Sequence, residues 1–327
     1  MRSSGIIYWE GRILKETAEI NIAMIGIGNI ARKVYLPLLS QSTRVRIAGI
    51  LSSSVSTVES TVSAYRLPRG TCSLDELLSW DLDAVFVHAP TPSHYEIVTK
   101  CLERGLAVYV DKPLSYRLEE SVRMAELAES KGLLLGVGFN RRFAPLYAEA
   151  KSWLDEAGGV IHCSAVKHRT KRQKLTSRET VHDDLIHMLD LLLWLCGNDY
   201  ELLRGSLHSD LEGRLVQASG MLGWNGGASG MYSMVRDAGA DLEKLELHGH
   251  GRSAEIADME RAVFYDRNGV PSVRGFGSWD TILERRGFSG VVDHFLDHIH
   301  KPAECGISAL SVLPVHRLAA QLADGTD

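Results

Sequence analysis

The sequence predicts an α/β fold: an N-terminal doubly wound parallel sheet, then a C-terminal α+β domain with a largely antiparallel open sheet. Three observations carry this. Short continuous apolar runs alternate with helical segments over the first 139 residues, the rhythm of βαβ units. A glycine turn, Gly26-Ile27-Gly28, joins the first run to the first helix. After residue 140 the pattern changes to longer strand-like segments with few helices between them.

The elements follow in order. Residues 1–19 read as an irregular extension. Ile20 to Ile25 is a buried strand, followed by the glycine turn and a helix to about Ser40. Val45 to Leu51 is a second strand. Ser73-x-x-Glu76 and Ser93-x-x-Glu96 match a capping box and predict helix starts. The second follows a strand, Ala84 to His88, and opens a helix that stops at Gly105. A strand at 107–110, a helix from Leu118 to Ser130 stopped near Gly132, and a strand at 133–138 complete the first half. Helices are expected at 144–156 and 181–196, and strands at 159–167, 201–208, 214–223, 228–235, 242–248 and 253–265, with two closing helices. The organisation is an extension (1–19), a dinucleotide-binding domain (20–139) and a substrate or oligomerisation domain (140–327).

Composition narrows the function classes. Of 327 residues, 45% are hydrophobic and 24% charged, an ordinary globular balance. A formal net charge of −5 gives no global attraction to nucleic acid or anionic membrane. The five cysteines are scattered without zinc-ligand spacing, which fits a reducing, cytoplasmic setting. No apolar run reaches membrane-spanning length.

The chemistry-bearing motifs cluster at strand ends. Gly26-x-Gly28-x-x-Ala31 lets backbone approach a pyrophosphate, and the helix that follows offers free N–H groups and its positive dipole end to that anion. Asn29 and Ile30 complete this cofactor-binding turn. The second strand ends in Leu51-Ser52-Ser53-Ser54, without the carboxylate that usually receives the NAD ribose. Ser52 and Ser53 leave room for a 2′-phosphate, so NADP(H) is expected over NAD(H), although a plain serine-rich loop has the same composition. On the helix 181–196, Asp183 and His187 stand four apart and share a face, with Asp184 a rival partner. Such a pair serves proton transfer, metal ligation or simple solvation equally well. Finally, "AVYVDKPLS" (107–115) puts Asp111 and Lys112 just where a buried strand leaves the core.

Together these residues resemble a known family. The glycine turn, "APTPSH" (89–94), "VDKPL" (110–114), "GFNRRFAPLY" (138–147) and "DDLIHMLDLLLWL" (183–195) occur in the order found in Gfo/Idh/MocA oxidoreductases, and most nearly in their MviM (YceM) branch, whose members carry a virulence-factor label. The resemblance implies a Rossmann domain and hydride transfer between a nicotinamide and a secondary alcohol or ketone of a sugar, cyclitol or derivative. It implies Lys112, Asp183 and His187 as the catalytic group. His187 would take the hydroxyl proton, Lys112 would polarise the same oxygen, and the bond before Pro113 is often cis. Pro90, Thr91, His94, Asp111, Lys112 and Asn140 would join the cofactor site. A homodimer or homotetramer is implied too. This sequence departs from the family at Asp111, commonly Glu, at Ala89 and Thr91, and at Leu185, where Gly is common and a bulky side chain would narrow the site. Two alternatives stay open: a redox-assisted glycosidase or eliminase on the same fold, and a non-catalytic NAD(P)-binding regulator.

Other clusters are weighed the same way. "KHRTKRQK" (167–174) holds six basic residues in eight. Lys167 and Arg169 are its best substrate-binding candidates, with Asp184, against a solvated loop. His294, Asp297, His298 and His300 read as an amphipathic helix and no metal is expected. Arg141, Arg142 and Phe143 read as structural, and Cys163 and Cys196 as buried spectators. No nucleic-acid or membrane partner is expected, only a carbohydrate-like small molecule.

Overall fold

A computed structural model describes residues 19–325, with the backbone of residues 8–9 and 12–13. The latter pair antiparallel as β1 (Tyr8–Trp9) and β2 (Arg12–Ile13). The rest of the expected extension lies outside the described residues. The chain divides into two compact units, Met1–Phe86 and Val87–Asp327.

Within the first unit, β3 (Ile20–Ile25), β4 (Val45–Leu51), β5 (Gly70–Thr71) and β6 (Ala84–Val87) lie in the order β5-β4-β3-β6. β3 pairs parallel with β4, and β4 parallel with β5. Met24, Ile25, Ile47 and Ile50 are buried, as continuous apolar runs covered on both faces require. The helix after the glycine turn opens with a wide π turn, Ala31–Tyr35, and continues as Leu36–Gln41. Ser54 and Ser73 cap the helices Val55–Tyr65 and Leu74–Leu78, accepting from the N–H groups of Thr57 and Glu76.

In the second unit β7 (Ala107–Val110) pairs parallel with β8 (Leu135–Val137). These complete the six strands of a Rossmann-like parallel sheet. Eight further strands follow: β9 (His162–His168), β10 (Tyr200–Ser209), β11 (Leu215–Trp224), β12 (Ser229–Val235), β13 (Leu242–Gly249), β14 (Arg252–Ala257), β15 (Arg261–Asp266) and β16 (Ser272–Gly275). They form one open sheet, ordered β10-β11-β12-β9-β13-β14-β15-β16. Every pairing is antiparallel except β9 with β12. Alternate residues of β9 and β13 are buried, so one face packs and the other stays open. The helix Ile186–Cys196 packs on β9 and β12, and the last helix, Ala309–Asp324, packs on it and on Leu118–Ser130.

Three local expectations differ from the structure. The segment 253–265 is two strands, because Asp258 and Met259 turn the chain at φ 53° and 60°. Ser93 makes no capping bond: a 3-10 turn, Thr91–Ser93, held by Pro90 and Pro92, precedes the helix His94–Glu103. Two reciprocal capping boxes, Thr176 with Glu179 and Thr281 with Glu284, are not in the sequence reading.

Candidate active site

In the first unit, Gly26 has φ 88°, which an L side chain rarely adopts. A Cβ added at Gly28 would meet nothing within 4 Å, so the backbone there is open to close approach. Helical geometry begins at Asn29, and no side chain caps that helix start at Ile30. Asn29 and Ile30 are both exposed. Free N–H groups and an open backbone are the donor set a pyrophosphate requires, so the turn fits a dinucleotide. Of the serines after β4, Ser52 is buried, and Ser53 is exposed. Ser52 Oγ faces the Ser54 N–H at 3.5 Å. An arginine from the first helix stands beside this loop. Arg32 donates from Nε to the Ile27 carbonyl (3.2 Å) and from Nη2 to Thr57 Oγ1 (3.4 Å), at the helix that Ser54 caps.

In the second unit, β7 delivers Asp111 and Lys112 at its carboxyl end. Lys112 Nζ donates to the Asp183 carbonyl and lies 3.3 Å from Asp183 Oδ1. The Lys112–Pro113 bond is cis. Asp183 Oδ2 accepts from Gln173 Nε2 at 2.8 Å. Asp111 pairs with His88 Nδ1 at 2.8 Å. His94 is buried, with Nδ1 on the Pro113 carbonyl and Nε2 on the Ala89 carbonyl, both 2.9 Å. Its single N–H donates to one of these carbonyls, and the ring braces the segment that carries Lys112. Asn140 is likewise engaged inward, donating to the Arg286 carbonyl at 2.7 Å. Pro90 is exposed, and Thr91, half-buried, stands at the start of the 3-10 turn.

The helix carrying Asp183 and His187 is not uniform. Val181–Leu185 is a π turn between α segments Ser177–Thr180 and Ile186–Cys196. Extra residues per turn spoil the shared face that four-residue spacing predicts, and such turns frequently mark functional positions. Asp183 reaches Lys112, whereas Asp184 pairs with Lys167 Nζ and with Arg236 Nη1. His187 is 6% exposed, its Nδ1 is buried without a partner, and its ring stands edge-on to Phe139 at 6.3 Å. Burial first, then the charges of Arg141, Lys167 and Lys112, push its pKa well below the usual imidazole value. Leu185 lines a cleft with Leu202, Tyr232 and Leu322.

Charged residues form the floor. Lys167 on β9 lies directly opposite Glu243 on β13, and both occupy the inward rows of their strands. Arg236 extends the inward row of β12. Arg141 donates to both Glu243 oxygens (2.5 and 2.9 Å), and Arg142 grips Asp190. Burial alone would raise the Glu243 and Asp184 carboxyls. Arg141 and Lys167 hold Glu243 down at about 2, and Lys167 and Arg236 hold Asp184 well below the usual range. Burial, then Arg141, pulls Lys167 down to about 8.

The comparisons with known proteins fit this geometry. Residues 20–139 match the model described as "Oxidoreductase family, NAD-binding Rossmann fold" (GFO_IDH_MocA), and residues 145–265 match a YceM-like C-terminal domain. A protein of Salmonella typhimurium strain LT2 named "Putative oxidoreductase YceM" is 36% identical over 85% of this chain and 89% of its own. The chain belongs to the Gfo/Idh/MocA oxidoreductase family. The crystal structure of a dehydrogenase (MviM) from Clostridium difficile superposes with TM-score 0.87 at 31% identity, covering 94% of this chain and 99% of that one. The scyllo-inositol 2-dehydrogenase (NAD(+)) of Bacillus subtilis is 30% identical over 56% of this chain and 55% of its own.

The expected site residues are only partly brought together. Lys112 and Asp183 meet. His187 Nδ1 has no partner, although the ring feels the Lys112 charge. Lys167 and Asp184 pair with each other, and Arg169 reaches Glu243 at 3.5 Å. Arg32, His88, Gln173, Arg236 and Glu243 were missed. A signal existed for Arg236 and Glu243: each is a charged residue in phase with an apolar alternation, which puts it on the inward face of a strand. His294 and His298 gather with Cys305, and His294 Nε2 accepts the Gly306 N–H at 3.0 Å. Cys163 and Cys196 lie with their sulfurs 3.7 Å apart. Among the described residues no helix is long and apolar enough to cross a membrane.

Proposed function

We propose that this protein is an NADP(H)-linked oxidoreductase that interconverts a secondary alcohol and a ketone on a sugar or cyclitol. The observation that carries the reading is the Lys112 ammonium, fixed on Asp183 at a strand's carboxyl end, with the buried imidazole of His187 on the same helix. When bound, the nicotinamide supplies the hydride acceptor. The Gly26–Ile30 turn holds its pyrophosphate through backbone N–H groups. Ser53, with Ser52 behind it, and Arg32 receive the ribose 2′-phosphate, which favours NADP(H) over NAD(H). Pro90, Thr91 and Asp111 stay in this reading as cofactor neighbours, and His94 and Asn140 become supports of the backbone beside them.

Lys112 donates a hydrogen bond to the reacting oxygen and stabilises negative charge as it develops there. His187 is kept neutral by burial and by nearby cations, so it can accept the hydroxyl proton at neutral pH. Asp183 fixes the direction of the Lys112 ammonium. Residues 20–139 act as the cofactor domain and 140–327 as the substrate domain, divisions supported by the spans of the two family models. The open face of the second sheet supports a homodimer or homotetramer, and the protein acts in the cytoplasm on a small molecule. Titration of the purified, cofactor-free protein with NADPH and NADH tests the reading. Tighter binding of NADPH supports it. Preference for NADH removes the 2′-phosphate assignment. Binding of neither by folded protein removes the oxidoreductase.

A further inference from the structure

The loop "KHRTKRQK" borders a cleft of ≈ 470 Å³ lined by five cations, Lys167, Arg169, Lys171, Arg172 and Arg236, against two carboxylates, Asp184 and Asp241. Several of these charges are spent internally. Lys167 and Arg236 hold Asp184, Arg169 reaches Glu243 (3.5 Å), and Arg172 pairs with Asp210 (3.0 Å) and Asp237 (2.7 Å). The lining itself still carries more cations than carboxylates, and two polar atoms in the cleft wall are left over. The Arg236 side chain is only 5% exposed, yet its Nε–H has no acceptor. The amide oxygen of Gln173 is buried without a donor, while its Nε2 donates to Asp183. A buried guanidinium N–H with no acceptor in the protein is a costly arrangement. It is a useful one if an oxygen anion arrives. An orphan amide oxygen one hydrogen bond from Asp183 suits a sugar hydroxyl in the same way. Asp183 in turn lies 3.3 Å from Lys112 Nζ, so Gln173 in the cleft wall is tied through Asp183 to the group assigned to the reacting oxygen.

We propose that the substrate carries an anionic group, a carboxylate or a phosphate, which this cleft holds against Arg236, Arg169 and Lys171 while Gln173 takes a neighbouring hydroxyl. The inference rests on the oxidoreductase reading and names its substrate class: a sugar acid or sugar phosphate instead of a neutral polyol. It also bears on His187. An anion beside Lys167 and Arg169 offsets part of the positive field that weakens that imidazole as a base, so proton transfer is helped by the substrate's own charge.

The test is calorimetric titration of the full-length protein, loaded with NADPH or NADH, using D-glucuronate, D-glucose 6-phosphate, D-glucose, myo-inositol and inorganic phosphate. An acidic probe should bind at least about tenfold more tightly than D-glucose, as one charge-assisted hydrogen bond allows. Whether glucuronate or the phosphate ester is preferred decides between the two anions. The preference should fall several-fold in Lys171→Glu, an exposed position that leaves the fold intact, and further in Arg236→Gln, with nucleotide affinity unchanged in both. Equal binding of acidic and neutral probes overturns the inference. So does a preference that survives both substitutions, or failure of every acidic probe to bind protein that holds its nucleotide. If folded protein binds neither nucleotide, the oxidoreductase reading itself fails, and this inference with it.

Discussion

Replacing Glu243 by Gln is the substitution whose cost follows most directly from the geometry. Glu243 is 3% exposed, accepts both Arg141 N–H donors, and also faces Arg169 at 3.5 Å and Lys167 at 3.9 Å. Its pKa falls from 4.5 to about 2. A fall of that size corresponds to roughly 3 kcal/mol of preference for the charged form. Breaking one side of a buried pair costs about 3–5 kcal/mol, which agrees. In Glu243→Gln the Arg141 guanidinium stays buried opposite a neutral amide. Urea denaturation at pH 7 should therefore show a loss of about 3 kcal/mol, or a drop in midpoint temperature of roughly 4 °C. The pH dependence has a definite sign. The native pKa lies below the unfolded one, so the stabilisation is fully present above pH 4.5 and is lost as pH falls through about 2. The gap between wild type and Glu243→Gln should thus narrow over that window. A loss under about 1 kcal/mol at pH 7, or a gap indifferent to pH, would refute the view that Glu243 anchors the cationic floor of the site.

Other consequences separate chemistry from support. Lys112→Met should lower kcat/KM about 10²–10³-fold on any substrate turned over, the cost of one donor to a developing oxyanion. Its stability should change by less than ~1 kcal/mol, because the Lys112–Asp183 pair is 19% and 30% exposed; large unfolding with little rate loss would make Lys112 structural. His187 has a native pKa below the unfolded 6.5, so the unfolded chain binds the proton first and stability should decline as pH drops below 6.5. His187→Gln should flatten that decline in denaturation curves and abolish an acid limb of alcohol oxidation that lies well below pH 6.5. Arg32→Glu should weaken NADPH binding about 10–100-fold and change NADH binding less than about threefold, as measured by fluorescence titration. Equal effects on both nucleotides would reject Arg32 as the 2′-phosphate ligand.

What the sequence determined by itself is the part written in local patterns. Continuous apolar runs such as "AVFV" and "AVYV" specify buried parallel strands, because covered faces leave no position for a polar residue. Alternation in "HCSAVKH" specifies a half-covered one. The glycine turn and Asp111-Lys112-Pro113 announce themselves because backbone conformation and strand ends constrain which residues can stand there. Tertiary structure decided the rest, since the remaining partners are distant in sequence. Arg32 meets Thr57 only when a helix start and a later helix come together. Lys167 meets Asp184 and Glu243 only when strand register sets one row opposite another. Even on one helix, spacing misled: a π turn sends Asp183 to Lys112 and Asp184 to Arg236, and parts both from His187. A period read from sequence assumes uniform helical geometry, and the helix departs from that geometry at the site.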